Sequence, residues 1–318
     1  MSEFNGTGVV LRPHRSDHDS VFRSAAYNCR MANPRKIVRE NVPGDFFVDT
    51  TCIDCDTCRQ IAPTVFAEGP GTAYVHRQPG AVADRRQALR ALLACPTGSI
   101  GDQADDDRKA VMADFPLLVE QPVYYCGFNS PKSFGGNSYF IEHPDGNWLV
   151  DSPKFLPQLV KRLAERGGVA HIFLTHRDDV ADAERYAAHF GARRVIHRAE
   201  LSSQPGAELV LEGDEPTQLA ADLVVIPTPG HTSGHCCLLL RGRFLFTGDH
   251  LDFDRDIKRL AASRDYCWYS WRRQRESMRR LADHRFEWVL PGHGQRVHLP
   301  ADEMRREMLD LVERMAGS

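Results

Sequence analysis

Residues 174–182 read Leu-Thr-His176-Arg-Asp178-Asp179-Val-Ala-Asp182, and they follow a short apolar segment that we predict to be a β-strand. A histidine and three aspartates therefore stand in the turn at a strand end. Loops at strand ends carry much of a protein's chemistry, because the rigid sheet positions them. The stretch predicts a functional site at a sheet edge. The simpler alternative is that the three aspartates cap a helix beginning near residue 180.

Three further segments combine a predicted strand with a turn that contains histidine or aspartate. They read Pro229-Gly-His231-Thr-Ser-Gly-His235, Phe246-Thr-Gly-Asp249-His250 and Leu290-Pro-Gly-His293-Gly. Imidazole is a good ligand for zinc and iron, and a carboxylate adds negative charge and hardness. Turns at one edge of a sheet can present such groups to a common point, so the segments are candidates for a metal site. A single histidine after a strand indicates only a hydrogen-bonded loop residue.

The order and separation of these four segments resemble the metallo-β-lactamase superfamily, including its glyoxalase II and flavodiiron branches, from residue 118 to the C-terminus. Asp151, after a predicted strand, resembles that family's early aspartate. The resemblance implies an α/β (α+β) fold, with an αββα sandwich. It also implies His176, His231 and His293 as metal ligands, Asp249 as a carboxylate that bridges two metals, and His235 as a group that orients a ligand.

The first motif departs from the family's His-x-His-x-Asp-His pattern. Counting from His176, Asp178 stands at the second histidine, Val180 at the aspartate and Ala181 at the last histidine. Asp178 can still coordinate through oxygen, whereas the other two cannot. We therefore expect a mononuclear or remodelled site with one or two zinc or iron ions. In a remodelled turn, Asp179 or Asp182 is a candidate substitute ligand.

A second cluster of possible metal ligands lies nearer the N-terminus. Residues 52–58 read Cys52-Ile-Asp-Cys55-Asp-Thr-Cys58, and Cys95 is followed by proline. Three thiolates on a tight loop with a distant fourth are typical of an iron–sulfur cube, whereas a zinc ribbon usually splits its ligands into two pairs. A structural zinc site and four unrelated thiols remain the alternatives.

This region resembles the bacterial-type ferredoxins with a single [4Fe-4S] cluster. A two-cluster ferredoxin has a Cys-Pro pair where this chain has Ala62-Pro63. The resemblance implies a small ferredoxin-like α+β domain whose cluster is held by Cys52, Cys55, Cys58 and Cys95.

The composition suggests four segments along the chain. We predict a flexible N-terminal extension at 1–40, a [4Fe-4S] ferredoxin-like domain at 41–101, an acidic linker at 102–114 and a metallo-β-lactamase-like domain at 115–318. Met31 is an alternative start of translation.

Composition also excludes several classes of protein. The 318 residues carry a net charge of −3, which gives no electrostatic reason to expect nucleic acid as a partner. No uncharged apolar run approaches the roughly 18 residues of a membrane span, and no signal-peptide core is visible near the N-terminus. With 9 cysteines, an odd number, a disulfide framework is not expected, so we predict a cytoplasmic protein.

Apolar periodicity gives a coarse prediction of secondary structure. We predict a largely helical segment from Leu260 to Ala282, headed by the aromatic run Tyr266–Trp271, for which core packing is favoured over a pocket wall. A glycine-rich turn at 130–137 is expected to be a hairpin loop, or a flap whose Lys132 or Ser133 contacts substrate. Strands are predicted at 118–125, 137–142, 147–151, 170–174, 193–196, 208–212, 223–227, 236–241, 243–247 and 286–290, with helices at 155–167, 181–190 and 301–315.

Three functions fit these patterns. The first is a metal-dependent hydrolase of an ester or thioester-type bond, in which Asp178 and Asp182 orient a metal-activated water and His235 supports a ligand. The second is a non-haem iron oxidoreductase fed with electrons by the fused cluster, since two histidines and a carboxylate are typical of non-haem iron. The third is a non-catalytic electron carrier or sensor. The expected partners are a small-molecule substrate and a redox partner protein, with no nucleic acid and no membrane.

Overall fold

The computed structural model describes residues 32–104, 106 and 108–317. Residues 1–31, most of the predicted flexible extension, lie outside this range. Residues 32–40 do not behave as an extension. Pro34–Lys36 forms a 3₁₀ turn, Val38 is buried, and the side chain of Asn41 bonds the backbone of both Val38 and Val48. The predicted boundary at residue 40 is therefore corrected, because this segment packs onto the unit that follows it.

The first unit is a small α+β fold. Its elements are β1 (Phe46–Val48), α1 (Thr57–Ile61), β2 (Phe66–Glu68), β3 (Ala73–Val75), α2 (Val82–Ala94) and β4 (Ile100–Asp102). β1 pairs with β4 and β2 with β3, both antiparallel. α2 buries Ala88 and Leu92, four residues apart on one helix face, against the strands. This arrangement places the end of α2 beside the loop that precedes α1.

The predicted linker at 102–114 is not an extended tether. It contains α3 (Arg108–Met112), and Val111 is buried. Asp114 forms ion pairs with Arg86 and Arg90 of α2. Asp102 and Asp106 also pair with Arg85 of α2, so these described acidic residues hold the segment against the first unit.

The second unit begins with a seven-stranded sheet in the order β11-β10-β9-β8-β7-β6-β5. Strands β5 to β8 pair antiparallel and β8 to β11 parallel, with helical crossovers between the parallel strands. The predicted strand 118–125 is in fact a hairpin, because Pro122 has no N–H for a sheet ladder. The elements are β5 (Leu117–Glu120), β6 (Val123–Tyr125), β7 (Tyr139–Ile141), β8 (Trp148–Val150), α4 (Pro157–Glu165), β9 (His171–Phe173), α5 (Ala183–Phe190), β10 (Arg193–His197) and β11 (Leu209–Leu211).

The rest of the chain builds a second sheet of six strands and two covering helices. The elements are β12 (Thr217–Ala220), β13 (Leu223–Pro227), β14 (Cys236–Leu240), β15 (Phe244–Gly248), β16 (Asp252–Asp254), β17 (Arg259–Ala261), α6 (Trp271–Leu281), β18 (Trp288–Pro291), β19 (Val297–His298) and α7 (Ala301–Ala316). The sheet order is β12-β13-β14-β15-β18-β19, and β16 and β17 form a separate hairpin.

The segment from Leu260 to Ala282 differs from its prediction. Only Trp271–Leu281 is helical, and residues 262–270 form a loop. The helix begins there because the Ser270 side chain accepts a hydrogen bond from the N–H of Arg273 and so caps it. The aromatic run ahead of the helix is therefore loop rather than helix.

The two sheets pack face to face, and helices cover their outer faces. Tyr139 of β7 meets Phe246 of β15 edge to face, with ring centroids 5.4 Å apart. On the far side of the second sheet, Met278 and Met308 belong to one apolar cluster with Leu245. The expected α/β fold class, an αββα sandwich after a small α+β unit, is confirmed. Within the described residues, no helix has the length and apolar character needed to span a membrane.

Candidate metal centre

Four chain segments deliver polar side chains to one edge of the sandwich. β13 and β15 both run antiparallel to β14, and β18 runs parallel to β15, so these three strands end at the same edge. β9 of the first sheet ends opposite them. The residues that follow the four strand ends are His176 after β9, His231 after β13, Asp249 after β15 and His293 after β18.

The first group of donor atoms surrounds one point. The Nε2 atoms of His176 and His231 lie 3.7 and 3.6 Å from Oδ2 of Asp178. Each Nε2 also lies 3.6 Å from Oδ2 of Asp249. The two imidazole rings are nearly perpendicular, at 89°. Two imidazoles and two carboxylates thus offer nitrogen and oxygen donors to a single small cation.

A second group shares Asp249 with the first. His293 Nε2 lies 3.9 Å from Oδ2 of Asp249 and 3.9 Å from Oδ1 of Asp179. Counting along the sequence motif placed Val180 at this position and left Asp179 as one of two possible substitutes. The 3₁₀ turn Arg177–Asp179 instead brings Asp179 inward. The doublet Asp178-Asp179 was the available signal, since each carboxylate joins a different donor group.

Several of these donor atoms are buried without a hydrogen-bond partner. They are Nε2 of His176, Nε2 of His231, both carboxylate oxygens of Asp179 and Oδ1 of Asp249. Leaving one buried polar group unsatisfied costs about 1–3 kcal/mol. Several unsatisfied polar groups around one point are tolerable when a cation binds them. This combination of nitrogen and oxygen donors suits zinc or iron. The residues therefore fit a divalent metal.

Glycines allow the backbone to approach the carboxylates closely. A Cβ atom on Gly292 would lie 2.6 Å from Oδ2 of Asp179 and 2.7 Å from Oδ1 of Asp249. A Cβ atom on Gly136 would lie 2.6 Å from Oδ1 of Asp179. Any larger residue at these positions would displace the carboxylates.

The carboxylates make this point strongly negative. Burial opposes a charge on His176, but Asp249, Asp179 and Asp151 overcome it and raise the pKa of His176 to about 10. Burial would also raise the pKa of Asp249, yet His293 and His176 hold it far below its usual range. The neighbouring His231 imidazole lowers the pKa of Asp178. The site therefore favours a positive charge, whether a proton or a metal ion.

Hydrogen bonds from behind orient both histidine rings. Nδ1 of His176 lies 2.9 Å from Oγ1 of Thr175, which donates to the carboxylate of Asp151. Nδ1 of His231 lies 2.5 Å from the carbonyl oxygen of Tyr266. Both rings therefore direct Nε2 at the site, as the outer partners of ligand histidines commonly do.

His235, predicted to support catalysis, lies behind the site. It is fully buried, its ring centroid is 5.2 Å from that of His176, and it stacks on His250. Its Nδ1 lies 2.8 Å from Oγ1 of Thr228. Burial keeps the pKa of His235 well below its ordinary value, so the ring is neutral. The structure does not bring His235 to the pocket.

Asp182, also predicted as a catalytic residue, is held elsewhere. Its carboxylate accepts hydrogen bonds from Nζ of Lys132 at 2.7 Å and from the N–H of Phe155 at 2.9 Å. It is not among the residues that line the pocket. The prediction for Asp182 is therefore corrected, because the turn that brings Asp179 inward leaves Asp182 at the start of α5.

The donor groups open into a cavity of about 1270 Å³. One wall is the cysteine loop, with Asp54, Cys55 and Asp56. The glycine-rich turn predicted as a hairpin loop or flap forms another wall. The two predicted metal centres thus border the same space.

The four cysteines of the first unit lie near one another, since Cys52, Cys55 and Cys95 each act electrostatically to raise the pKa of Cys58. The N–H of Asp54 donates to Sγ of Cys52 and that of Ser99 to Sγ of Cys95, each at 3.4 Å. Burial raises the pKa of Cys55 to about 11, so a thiolate there needs a cationic partner. Hydrogen bonds to sulfur and a converging set of thiols fit an iron–sulfur cluster.

The second unit packs directly on this loop. A Cβ atom on Gly135 would lie 2.7 Å from Cβ of Cys55, and the neighbouring glycine contacts Asp179. Nδ2 of Asn129 donates to Oγ1 of Thr57 at 3.0 Å, and Arg255 pairs with Asp56 at 2.8 Å. The predictions did not anticipate this contact, since spacing along the chain does not reveal which loops meet.

Comparison with known families matches both units. Residues 132–293 match the family model described as "Metallo-beta-lactamase superfamily". Residues 48–102 match the model described as "4Fe-4S single cluster domain of Ferredoxin I". Both resemblances inferred from the sequence motifs are confirmed.

Individual proteins and solved structures are also similar to this chain. Hydroxyacylglutathione hydrolases of Salmonella paratyphi B and Salmonella newport are each 31% identical over 127 residues, which is 39% of this chain and 50% of theirs. The chain spans about half the length of these curated relatives. Among solved structures, the DIM-1 metallo-beta-lactamase has 18% identity and a TM-score of 0.48, covering 62% of this chain and 95% of its own. A metallo-beta-lactamase family protein of Thermus thermophilus has 21% identity and a TM-score of 0.45, covering 63% and 81%.

Proposed function

Because this chain belongs to the metallo-beta-lactamase superfamily, we propose that it is a metal-dependent hydrolase of an ester or thioester-type bond. The observation that carries the proposal is the convergence of buried, unpartnered histidine and aspartate atoms on the pocket floor. Hydrolysis breaks the bond between the carbonyl carbon and the leaving sulfur or oxygen. Water supplies the hydroxyl of the acid and the proton of the thiol or alcohol.

The proposed ligands form two sets that share one carboxylate. His176, Asp178, His231 and Asp249 would hold one zinc or iron ion, and Asp179, His293 and Asp249 would offer a second position. When bound, the metal supplies Lewis acidity, which polarises a carbonyl oxygen and lowers the pKa of a water.

The protein's own groups place the reactants. Asp178 lines the pocket with about half of its side chain exposed (48%), and its lowered pKa keeps it ionised at neutral pH. An ionised carboxylate beside the floor accepts a hydrogen bond from the attacking water and so orients it. Thr175 and the carbonyl of Tyr266 hold the two imidazoles still. Acylated thiols are the first substrate class to try, given the relatives' names.

The proposal includes a structural role for the cysteine loop and a cytoplasmic location. Asp54, Cys55 and Asp56 form a wall of the substrate pocket, so the first unit shapes the site even without electron transfer. A reducing compartment preserves the four ligand thiols.

The test is a panel of acyl thioesters and aryl esters with anaerobically purified, metal-analysed protein. We expect turnover by the wild type and a loss of more than about 100-fold for His231→Ala, because that change removes a ligand. The matched control is His189→Ala, an exposed histidine on α5, which should keep full activity. A wild type with bound metal that hydrolyses nothing on the panel would contradict the proposal.

One observation favours a second candidate, an oxidoreductase in which the two centres exchange electrons. Gly135 contacts Cys55 and Gly136 contacts Asp179, with Cβ positions 3.0 Å from Sγ and 2.6 Å from Oδ1 respectively. Because consecutive Cα atoms are about 3.8 Å apart, this thiol and this carboxylate are separated by no more than about 13 Å. Such a distance is compatible with electron exchange between the centres.

Metal and acid-labile sulfide analysis separates the two candidates. A content of about four irons and four sulfides per chain, together with bound zinc, favours the hydrolase. About five or six irons with four sulfides favour the oxidoreductase. About four irons and no further metal would favour the non-catalytic carrier or sensor.

A further inference from the structure

The mouth of the pocket carries an unusual number of exposed aromatic rings. Phe134, Tyr266, Trp268 and Tyr269 all line it, with 60%, 65%, 65% and 56% of their surfaces exposed. We call these four residues the aromatic rim. Large apolar groups gathered at the surface beside a cavity usually mark a binding site. Core packing was the favoured explanation of the run at 266–271. For Tyr266, Trp268 and Tyr269, which are exposed, that explanation is wrong.

The rim is fixed to a proposed metal ligand. The N–H groups of Trp268 and Tyr269 both donate to the carbonyl of His231 at 3.0 Å. The carbonyl of Tyr266 contacts Nδ1 of the same histidine at 2.5 Å. The Trp268 and His231 ring centroids are 6.2 Å apart. The backbone that carries these three rings is therefore anchored beside the proposed metal ligand.

The fourth ring stands on a different wall. Phe134 follows the 3₁₀ turn Pro131–Ser133 and has a left-handed backbone with φ of 46°. The next two residues are the glycines that contact Cys55 and Asp179. The backbone next to Phe134 is therefore fixed between Cys55 and Asp179, which places this residue at the cavity wall.

The charges of the pocket act against an acidic substrate. Six carboxylates line it, those of Asp54, Asp56, Asp178, Asp179, Asp249 and Asp252. The lysine and arginine side chains among the described lining residues are already paired. Lys132 binds Asp182 at 2.7 Å, and Arg177 binds the buried Glu200 at 3.1 Å. A bound metal offsets the carboxylates at the floor, but the described lining residues leave no free cation at the rim for a second anionic group.

Building on the proposed hydrolase function, we infer that the substrate is an ester or thioester whose acyl group is uncharged and flat, such as an arylacetyl group. The acyl group lies against Trp268 and its neighbours in the aromatic rim, and the scissile carbonyl reaches the floor. Aromatic pairs add attraction beyond the area they bury, and an anchored backbone loses little further entropy on binding. Acyl chains that end in a carboxylate are disfavoured.

The test compares phenylacetyl and succinyl thioesters of N-acetylcysteamine, which have the same uncharged leaving thiol. With the metal-loaded full chain we expect kcat/KM to be at least about tenfold higher for the phenylacetyl compound. Trp268→Ala should raise its KM by about tenfold, and Trp268→Phe should restore most of the loss. Leu118→Ala, another exposed apolar side chain but outside the pocket, is the control. Equal rates for both thioesters, or an unchanged KM in Trp268→Ala, would overturn the inference.

A binding measurement separates this inference from the hydrolase proposal. Phenylacetamide is uncharged and resists hydrolysis, so its affinity can be measured by calorimetry without turnover. Binding that weakens about tenfold in both Trp268→Ala and Phe134→Ala supports the rim even if the wild type hydrolyses no substrate. Hydrolysis without detectable phenylacetamide binding would support the hydrolase proposal and refute the role of the aromatic rim in acyl-group binding.

Discussion

The backbone of Gly135 lies against Cys55 so closely that a methyl group at residue 135 would come within 3.0 Å of the cysteine sulfur. Gly135 belongs to the second unit and Cys55 to the first. The two units therefore meet at a thiol proposed to hold the cluster, within a pocket that also holds the histidines.

Replacing Gly135 by alanine should displace Cys55 and lower the iron content by about half or more. The matched control is Gly71→Ala, since residue 71 also has a positive φ, 79° against 89°, but has nothing within 4 Å of the added atom. Both variants carry the backbone strain of about 1–2 kcal/mol, so only the contact with the cysteine differs. Iron analysis and the absorbance near 400 nm provide the measurement. Equal iron in the two variants would refute the contact's role.

Asp179→Asn and Asp182→Asn form a matched pair that tests which aspartate is a ligand. We expect Asp179→Asn to lose one metal equivalent and more than about 100-fold in activity, because a neutral amide replaces a carboxylate in contact with the second position. Asp182→Asn should keep both, since its carboxylate binds Lys132 instead. The metal content is measured by elemental analysis. Metal loss in Asp182→Asn alone would show that Asp182, and not Asp179, is the ligand.

Thr175→Val should weaken metal binding by about 10–100-fold without removing a ligand. The hydroxyl of Thr175 connects Nδ1 of His176 to Asp151, and valine keeps the shape while losing both contacts. Thr175→Ser restores the hydroxyl and should restore affinity. Competition with a chelator gives the dissociation constants. Equal affinities for all three proteins would mean that the packing around His176 alone orients its ring.

The raised pKa of Asp252 should make the free energy of unfolding fall as the pH rises. Burial, together with Asp254, Asp56 and Asp249, raises its pKa from 3.8 to about 7. The folded protein therefore binds this proton more tightly than the unfolded chain, and the stabilisation present below pH 4 is lost as the pH passes 7. Asp252→Asn should melt about 3 °C or more above the wild type at pH 8 and equal it near pH 4. Asp256→Asn, an exposed change on the same hairpin, should track the wild type throughout. A melting temperature that is independent of pH in the wild type would contradict the shift.

Much of the fold could be predicted because its strands are short apolar runs whose ends carry the functional residues. Phe244–Gly248 is fully buried, and its sequence alone indicates a central strand. β12 was missed because Thr217–Ala220 is a polar edge strand with no buried residue. The loop before α6 was missed because its conformation depends on hydrogen bonds to His231, more than thirty residues earlier in the chain.

The location of a candidate ligand could be predicted where it lies in a short turn after a strand, as with His231 and His293. It was not predictable where a turn decides which side chain points inward. Asp178 and Asp179 are adjacent, yet one lies at the pocket surface and the other is almost wholly buried. Counting residues from His176 assumes a constant turn, and the 3₁₀ geometry at 177–179 breaks that assumption.

The wall formed by Asp54, Cys55 and Asp56 gives one short loop two simultaneous duties. A substitution in this loop that changes the surroundings of the cluster also changes the shape of the pocket wall. Conversely, a substitution that changes the pocket wall also changes the surroundings of the cluster. The amino-acid sequences of the two units are therefore expected to constrain each other at this loop. Exchanging the first unit for a ferredoxin from another source would keep the four thiols but replace this wall of the pocket.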